Sequence, residues 1–147
     1  MAAYRTTFPI AANAETVWRI LVDFDSYPEW NPSVPSIVGD VAVGSTLAMT
    51  LAMPGRPSAK VKAKLTEVDP GRRLCWHGTV GGERLFAGTR EFAIETQPDD
   101  TVLVTHVEEV TGWLFPVFRA VMGSAIQAHH DNLNSALKER AEGHAPG

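Results

Sequence analysis

"THVEEVTG", Thr105 to Gly112, is the stretch on which the fold turns. Read as a β-strand, it sends alternate side chains to opposite faces. With the residues before it, Val102, Val104, His106, Glu108 and Val110 then share one face, and Leu103, Thr105, Val107, Glu109 and Thr111 share the other. If the face holding Val104 and Val110 looks inward, a histidine and a carboxylate enter an apolar interior, where an unpaired polar group is expensive. Something must satisfy them.

The preceding segment supplies the partner. "RLFAGTREFAIET", Arg84 to Thr96, reads as a strand joined to the first by the turn "QPDD". A hairpin closed there sets Phe92 opposite His106 and Arg90 opposite Glu108, within a residue of register. A guanidinium fork takes both carboxylate oxygens and leaves His106 to bond the same carboxylate, a ligand or water. A buried ion pair of this kind has two readings. It fixes strand register and orients a ligand, or it takes part in acid–base chemistry with His106 or Glu108 as base and Arg90 as its electrostatic aid.

Further out, the middle of the chain is a series of strands separated by turns too short for parallel crossovers, which favours an antiparallel meander. "STLAMTLAM" sets Leu47, Met49, Leu51 and Met53 on one face. "AKVKAKLTEVD" opposes Val61, Ala63 and Leu65 to Lys60, Lys62 and Lys64, and "RLCWHGTV" turns Trp76 inward and His77 to solvent. "YRTTFPI" is a short first strand ended by Pro9. "NAETVWRILVDF" is a short helix with Asn13 as N-cap, and "DSYPEWNPSVP" must turn, with one helical turn at Ser26 to Trp30. From Leu114 to Ala141 the period changes. Phe118, Val121, Met122, Ala125, Ile126, His129, Leu133, Ala136 and Leu137 recur at three and four, giving an amphipathic helix of about seven turns. His129 faces the sheet and His130 falls at the flank. The fold expected is α+β, a curved antiparallel sheet of six to seven strands around a long C-terminal helix, in a single domain over residues 1–147.

Composition excludes several functions. The formal charge is -4 and the pI about 5.7, with basic residues scattered along the chain, so no electrostatic footprint for nucleic acid or an anionic membrane is visible. Cys75 is the only cysteine, which removes an internal disulfide and suits a reducing, cytoplasmic setting. No run reaches the ~18 apolar residues of a membrane span, and "MAAYRTTFPIAA" lacks a signal-peptide pattern, so a soluble, unprocessed protein is expected. No metal-ligand spacing, phosphate-cradling glycine motif or Ser-His-Asp arrangement is seen; "GGERLFAG", Gly81 to Gly88, is a flexible hairpin tip. Neither a metal nor a cofactor is therefore expected, and a homodimer is compatible with the sequence.

"VWRILVDFDSYPEWNP" after a first strand, "GRRLCWHG" in the middle and "HVEEVTGWLFP" entering a long helix resemble the START-like superfamily, and within it the polyketide cyclase/dehydrase-like (SRPBCC) proteins. The resemblance covers about Tyr4 to Arg140. It implies the helix-grip fold, in which a curved sheet wraps the C-terminal helix and leaves a cavity used in many members for lipids, polyketides or other apolar molecules. Related families often carry a histidine where this chain has Arg90, and an arginine cannot shuttle protons. Two outcomes stay open: Met49, Met53 and Met122 form adaptable walls, or the large aromatics fill the space. The expected ligand-binding residues are Arg90, His106, Glu108, Phe92, Val104, Trp76, Met49, Leu51, Tyr27, Trp30, Met122, Ile126 and His129, with Tyr27, Trp30 and Asn31 at the cavity's mouth. The function expected is binding of a small, largely apolar molecule. The rivals are a cyclase, aromatase or dehydratase using His106 or Glu108 as general base, and an accessory protein that docks a larger complex.

Overall fold

The computed structural model describes residues 2–80 and 82–144; Gly81 of the expected hairpin tip lies outside them. Strand β1 (Ala2–Ile10) leads to helix α1 (Ala14–Val22), a 3₁₀ turn (Phe24–Ser26) and the one-turn helix α2 (Tyr27–Trp30). Strands β2 (Ser36–Val38), β3 (Thr46–Leu51), β4 (Ala59–Asp69), β5 (Arg73–Thr79), β6 (Ala87–Thr96) and β7 (Val102–Thr111) follow, and α3 (Phe115–His144) closes the chain. All seven strands form one antiparallel sheet in the order β1-β7-β6-β5-β4-β3-β2. This is the α+β helix-grip architecture.

Local chemistry accounts for the boundaries. The Asn13 side chain accepts from the Thr16 amide at 2.9 Å and caps α1, whose Val17 and Leu21 are buried. Pro9 does not end β1: it pairs with Leu103, and this is tolerated because β1 is an edge strand. A register shift between Leu65 and Glu67 bulges β4 and bends the sheet. Gly112, at φ 123°, turns β7 into α3; a Cβ there would lie 2.3 Å from the Leu85 carbonyl oxygen, so only glycine fits.

The inner face is best read in rows across the strands. Ile94 and Val104 pair across β6 and β7, with Phe8 beside them on β1. In the next row Leu74, Phe92, His106 and Thr6 are paired in turn, then Leu65, Trp76, Arg90, Glu108 and Tyr4, then Ala63, Gly78, Gly88 and Val110. The large rows pack against Leu133, Leu137 and Ala141 in the second half of α3 and against Val17, Leu21 and Tyr27 from the short helices, forming one solid core. The last row is made of small residues. Two facing glycines and an alanine leave a gap between this row and the first half of α3.

Candidate functional site

That gap is a cavity of about 700 Å³. Its walls come from β3 (Met49, Leu51), β4 (Ala59, Val61, Ala63), β5 (Trp76, Gly78) and α3 (Val117, Phe118, Val121, Met122, Ile126, His129), with Phe86 from the β5–β6 loop. The lining is mostly apolar and of a size that holds a drug-sized molecule. Gly78 and Gly88 stand in its wall, and a side chain at 78 would crowd β4: a Cβ there would lie 3.0 Å from the Lys62 carbonyl oxygen and 3.2 Å from the Ala63 Cβ. The aromatics do not plug it. Trp76 and Phe86 stand in its wall, while Phe92 and Tyr27 belong to the core beside it.

At the inner end of the cavity Arg90 and Glu108 face each other in the expected register. Arg90 Nη2 donates to both Glu108 carboxylate oxygens, at 3.0 and 2.9 Å, and to His129 Nε2 at 2.6 Å. A single nitrogen therefore serves both oxygens, in place of the two-pronged fork expected. Its two hydrogens meet three acceptors, so the carboxylate contacts share one. Arginine has no acceptor, which fixes the tautomer of His129: Nε2 accepts, and the proton sits on Nδ1, which donates to the Ala52 carbonyl at 2.7 Å. Both ring nitrogens are thus committed in the neutral form. Burial and then the adjacent Arg90 charge push the His129 pKa down to about 4. For Glu108, burial raises the carboxyl, but Arg90 and then His129 more than offset it, so the group ends below its ordinary value and stays anionic. Arg90 is 4% exposed, and its other terminal nitrogen, Nη1, is buried without a hydrogen-bond partner among the described residues.

His106 lies one row deeper, outside the cavity. Its ring is stacked between Phe92 (centroids 4.6 Å apart) and His130 (4.0 Å), and its Nδ1–H donates to Asn134 Oδ1 at 2.6 Å, not to Glu108. Burial, and then the Arg90 and His130 charges, hold its pKa well below the usual histidine range. His130 is fully buried and not at the flank, with Nε2 3.1 Å from Thr6 Oγ1. The sequence carried a signal for this. His130 and Asn134 stand one helical step apart and widen the inward stripe beyond the positions counted.

Of the expected ligand-binding residues, Arg90, Glu108, Trp76, Met49, Leu51, Met122, Ile126 and His129 converge on the cavity. His106, Phe92 and Val104 do not line it, because alternation fixes the face of a strand but not the row at which the helix lifts away. Tyr27 and Trp30 are not at its mouth. Tyr27 is core, its hydroxyl donating to the Leu21 carbonyl at 2.6 Å, and Trp30 lines a separate surface groove with Thr16, Arg19 and Arg140. Asn31 is buried, its Oδ1 accepting from the Ser33 and Val34 amides. His77 sits on the outer face, held by Thr89 and Glu83. No group of histidine, cysteine or carboxylate side chains suited to a metal ion occurs among the described residues. No helix among them is long and apolar enough to cross a membrane.

Residues 1–142 match the family described as polyketide cyclase / dehydrase and lipid transport. The chain belongs to this family. Solved structures agree on the fold of the polyketide cyclase / dehydrase and lipid transport family. A START superfamily protein from Mycobacterium smegmatis is 22% identical, covers 96% of this chain and 97% of its own, and superposes with a TM-score of 0.73. Norcoclaurine synthase from Thalictrum flavum, solved with dopamine and hydroxybenzaldehyde, is 18% identical over 99% of this chain and 89% of its own, with a TM-score of 0.72. The di-domain ARO/CYC StfQ of the steffimycin biosynthetic pathway is 14% identical over 96% of this chain, with a TM-score of 0.71, and this chain spans 50% of its length. Among curated proteins there is no match.

Proposed function

We propose that the protein binds a small, largely apolar, electrically neutral molecule in the cavity between sheet and helix, and that Arg90 Nη1 donates to one hydrogen-bond acceptor on it. The observation that carries this reading is the buried Nη1, which has no partner among the described residues, on a guanidinium whose Nη2 is already shared. Leaving such a donor unpaired is costly, and a carbonyl or hydroxyl oxygen of a guest relieves it. Charge balance selects a neutral guest. Arg90 and Glu108 cancel, His129 has no free nitrogen to protonate, and a carboxylate at Nη1 would add a second buried anion beside Glu108.

The same geometry ranks binding ahead of general-base catalysis. His106 does not reach the cavity. Glu108 does, but as a carboxylate stabilised by Arg90 it is a weak base. Displacement of Nile red by guests of matched chain length tests the proposal. A methyl ketone should displace the dye at a concentration about tenfold below the alkane, and the Arg90→Met/Glu108→Leu double variant should lose that preference. A fatty acid that outcompetes the ketone, or a protein that takes up no dye, contradicts it.

A further inference from the structure

The cavity's mouth carries a feature that holding a guest does not require. Trp113 is 70% exposed, Val117 66% and Val121 59%, and Leu114 and Val80 are exposed beside the same opening. Leu114, Val117 and Val121 follow helical spacing on one unpartnered face. The turn before α3 is tied to the β5–β6 loop, since the Trp113 amide donates to the Arg84 carbonyl and the Leu114 amide to that of Leu85. Val80, Leu114, Val117 and Val121 also line the cavity, so the patch is continuous with the interior. An apolar cluster around an opening marks an interaction surface more than scattered exposure does.

Charge identifies the partner. Arginines scattered in sequence stand on the segments that build the mouth. Arg56 lines it and donates through Nη2 to the Val121 carbonyl at 3.1 Å, and Arg84 is joined to Trp113 through the backbone. Both are exposed. No Asp or Glu occurs from Val41 to Thr66 or from Val110 to His130. Glu83, beside Arg84, is engaged with His77. The mouth is therefore cationic on a chain whose net charge is -4.

We propose that this mouth docks on the surface of a lipid bilayer bearing anionic headgroups. Trp113, Leu114, Val117 and Val121 enter the interfacial layer, Arg56 and Arg84 meet the phosphates, and the cavity opens onto the acyl chains. An exposed indole flanked by aliphatic and basic side chains suits that layer, where the ring's apolar body and polar tip are both accommodated. Docking does not depend on which molecule the cavity holds.

Flotation of the full chain with phosphatidylcholine vesicles, with and without phosphatidylglycerol, tests it. Binding should require phosphatidylglycerol, weaken as salt rises, and blue-shift tryptophan emission, a shift that Trp113→Phe reduces. Trp113→Glu with Arg84→Gln should abolish flotation. Replacing Arg56 or Arg84 by glutamine should lower partition about fivefold. Trp113 and Arg84 are exposed and lie outside the cavity wall, so that double variant should melt with the wild type and retain Nile red binding in vesicle-free solution, which separates docking from the cavity's own reading. Absence of flotation with either vesicle, or flotation indifferent to these substitutions, overturns the proposal. So does a concentration-dependent dimer in sedimentation that the double substitution dissolves, which would assign the patch to a second copy.

Discussion

Acidification should destabilise this fold well above the range in which ordinary carboxylates titrate, because its interior holds histidines that stay neutral. The sign follows from linkage. His129 and His106 have folded pKa values below the unfolded value of about 6.5, so their contribution is complete above that pH and is lost as pH falls, while the unfolded chain takes up protons the native state refuses. For His129, the fall from 6.5 to about 4 amounts to about 3 kcal/mol. The group is 2% exposed, so solvent screening does little to reduce it. His106 adds to this, and so does His130, which is also held low. Against a typical total of about 5–15 kcal/mol, the loss is a large fraction. Urea unfolding followed by far-ultraviolet circular dichroism at closely spaced pH values reads it directly. Near pH 5, two neutral histidines give a slope of about 3 kcal/mol per pH unit. His106→Phe, which keeps a ring stacked between Phe92 and His130, should lower that slope by about 1.4 kcal/mol per unit. A wild-type slope below about 1.4, less than one proton, would refute the claim that these rings are held uncharged.

Two other outcomes follow from the same geometry. Glu108→Gln leaves the Arg90 charge buried without its counter-ion and should cost about 3 kcal/mol, whereas Arg90→Met with Glu108→Leu should fall within about 2 kcal/mol of wild type; chemical denaturation of the two variants separates an ion pair that is costly to break from one that is intrinsically stabilising. Val61→Trp puts an indole into the cavity from β4 and should weaken Nile red binding at least about tenfold, with little change in melting temperature because the ring occupies existing space.

The fold was legible in the sequence because its determinants are periodic. The run Val102 to Val110 sets Val102, Val104, His106, Glu108 and Val110 on one face, Arg84 to Thr96 answers it, and the turn between them fixes the register that joins Arg90 to Glu108 and Phe92 to His106. The C-terminal helix announces itself by its three-four spacing. The site was half legible. Alternation shows that His106 points inward, but it does not show that the row of Ala63, Gly78, Gly88 and Val110 is where the helix stands off while the row of Phe92 and His106 is packed solid. That difference depends on residues paired across four strands. Glycines inside the strands at 78 and 88 are the local sign of it, read only as hairpin flexibility when Gly88 is taken with the tip. The inward turn of His130 and Asn134 escaped for a related reason: the stripe of α3 widens where the sheet curls around it. The cationic mouth could not be seen from composition, because Arg56 and Arg84 reach it only through the β3–β4 and β5–β6 loops that tie to Val121 and Trp113.

Native mass spectrometry of freshly purified protein, beside the same sample after denaturation, tests the central claim most directly. A bound species is predicted, lost on unfolding, that is neutral, mostly hydrocarbon or aromatic, and bears at least one carbonyl or hydroxyl oxygen. A protein found at its bare mass after purification and after incubation with methyl ketones, or one that carries an anion in that space, would contradict the account.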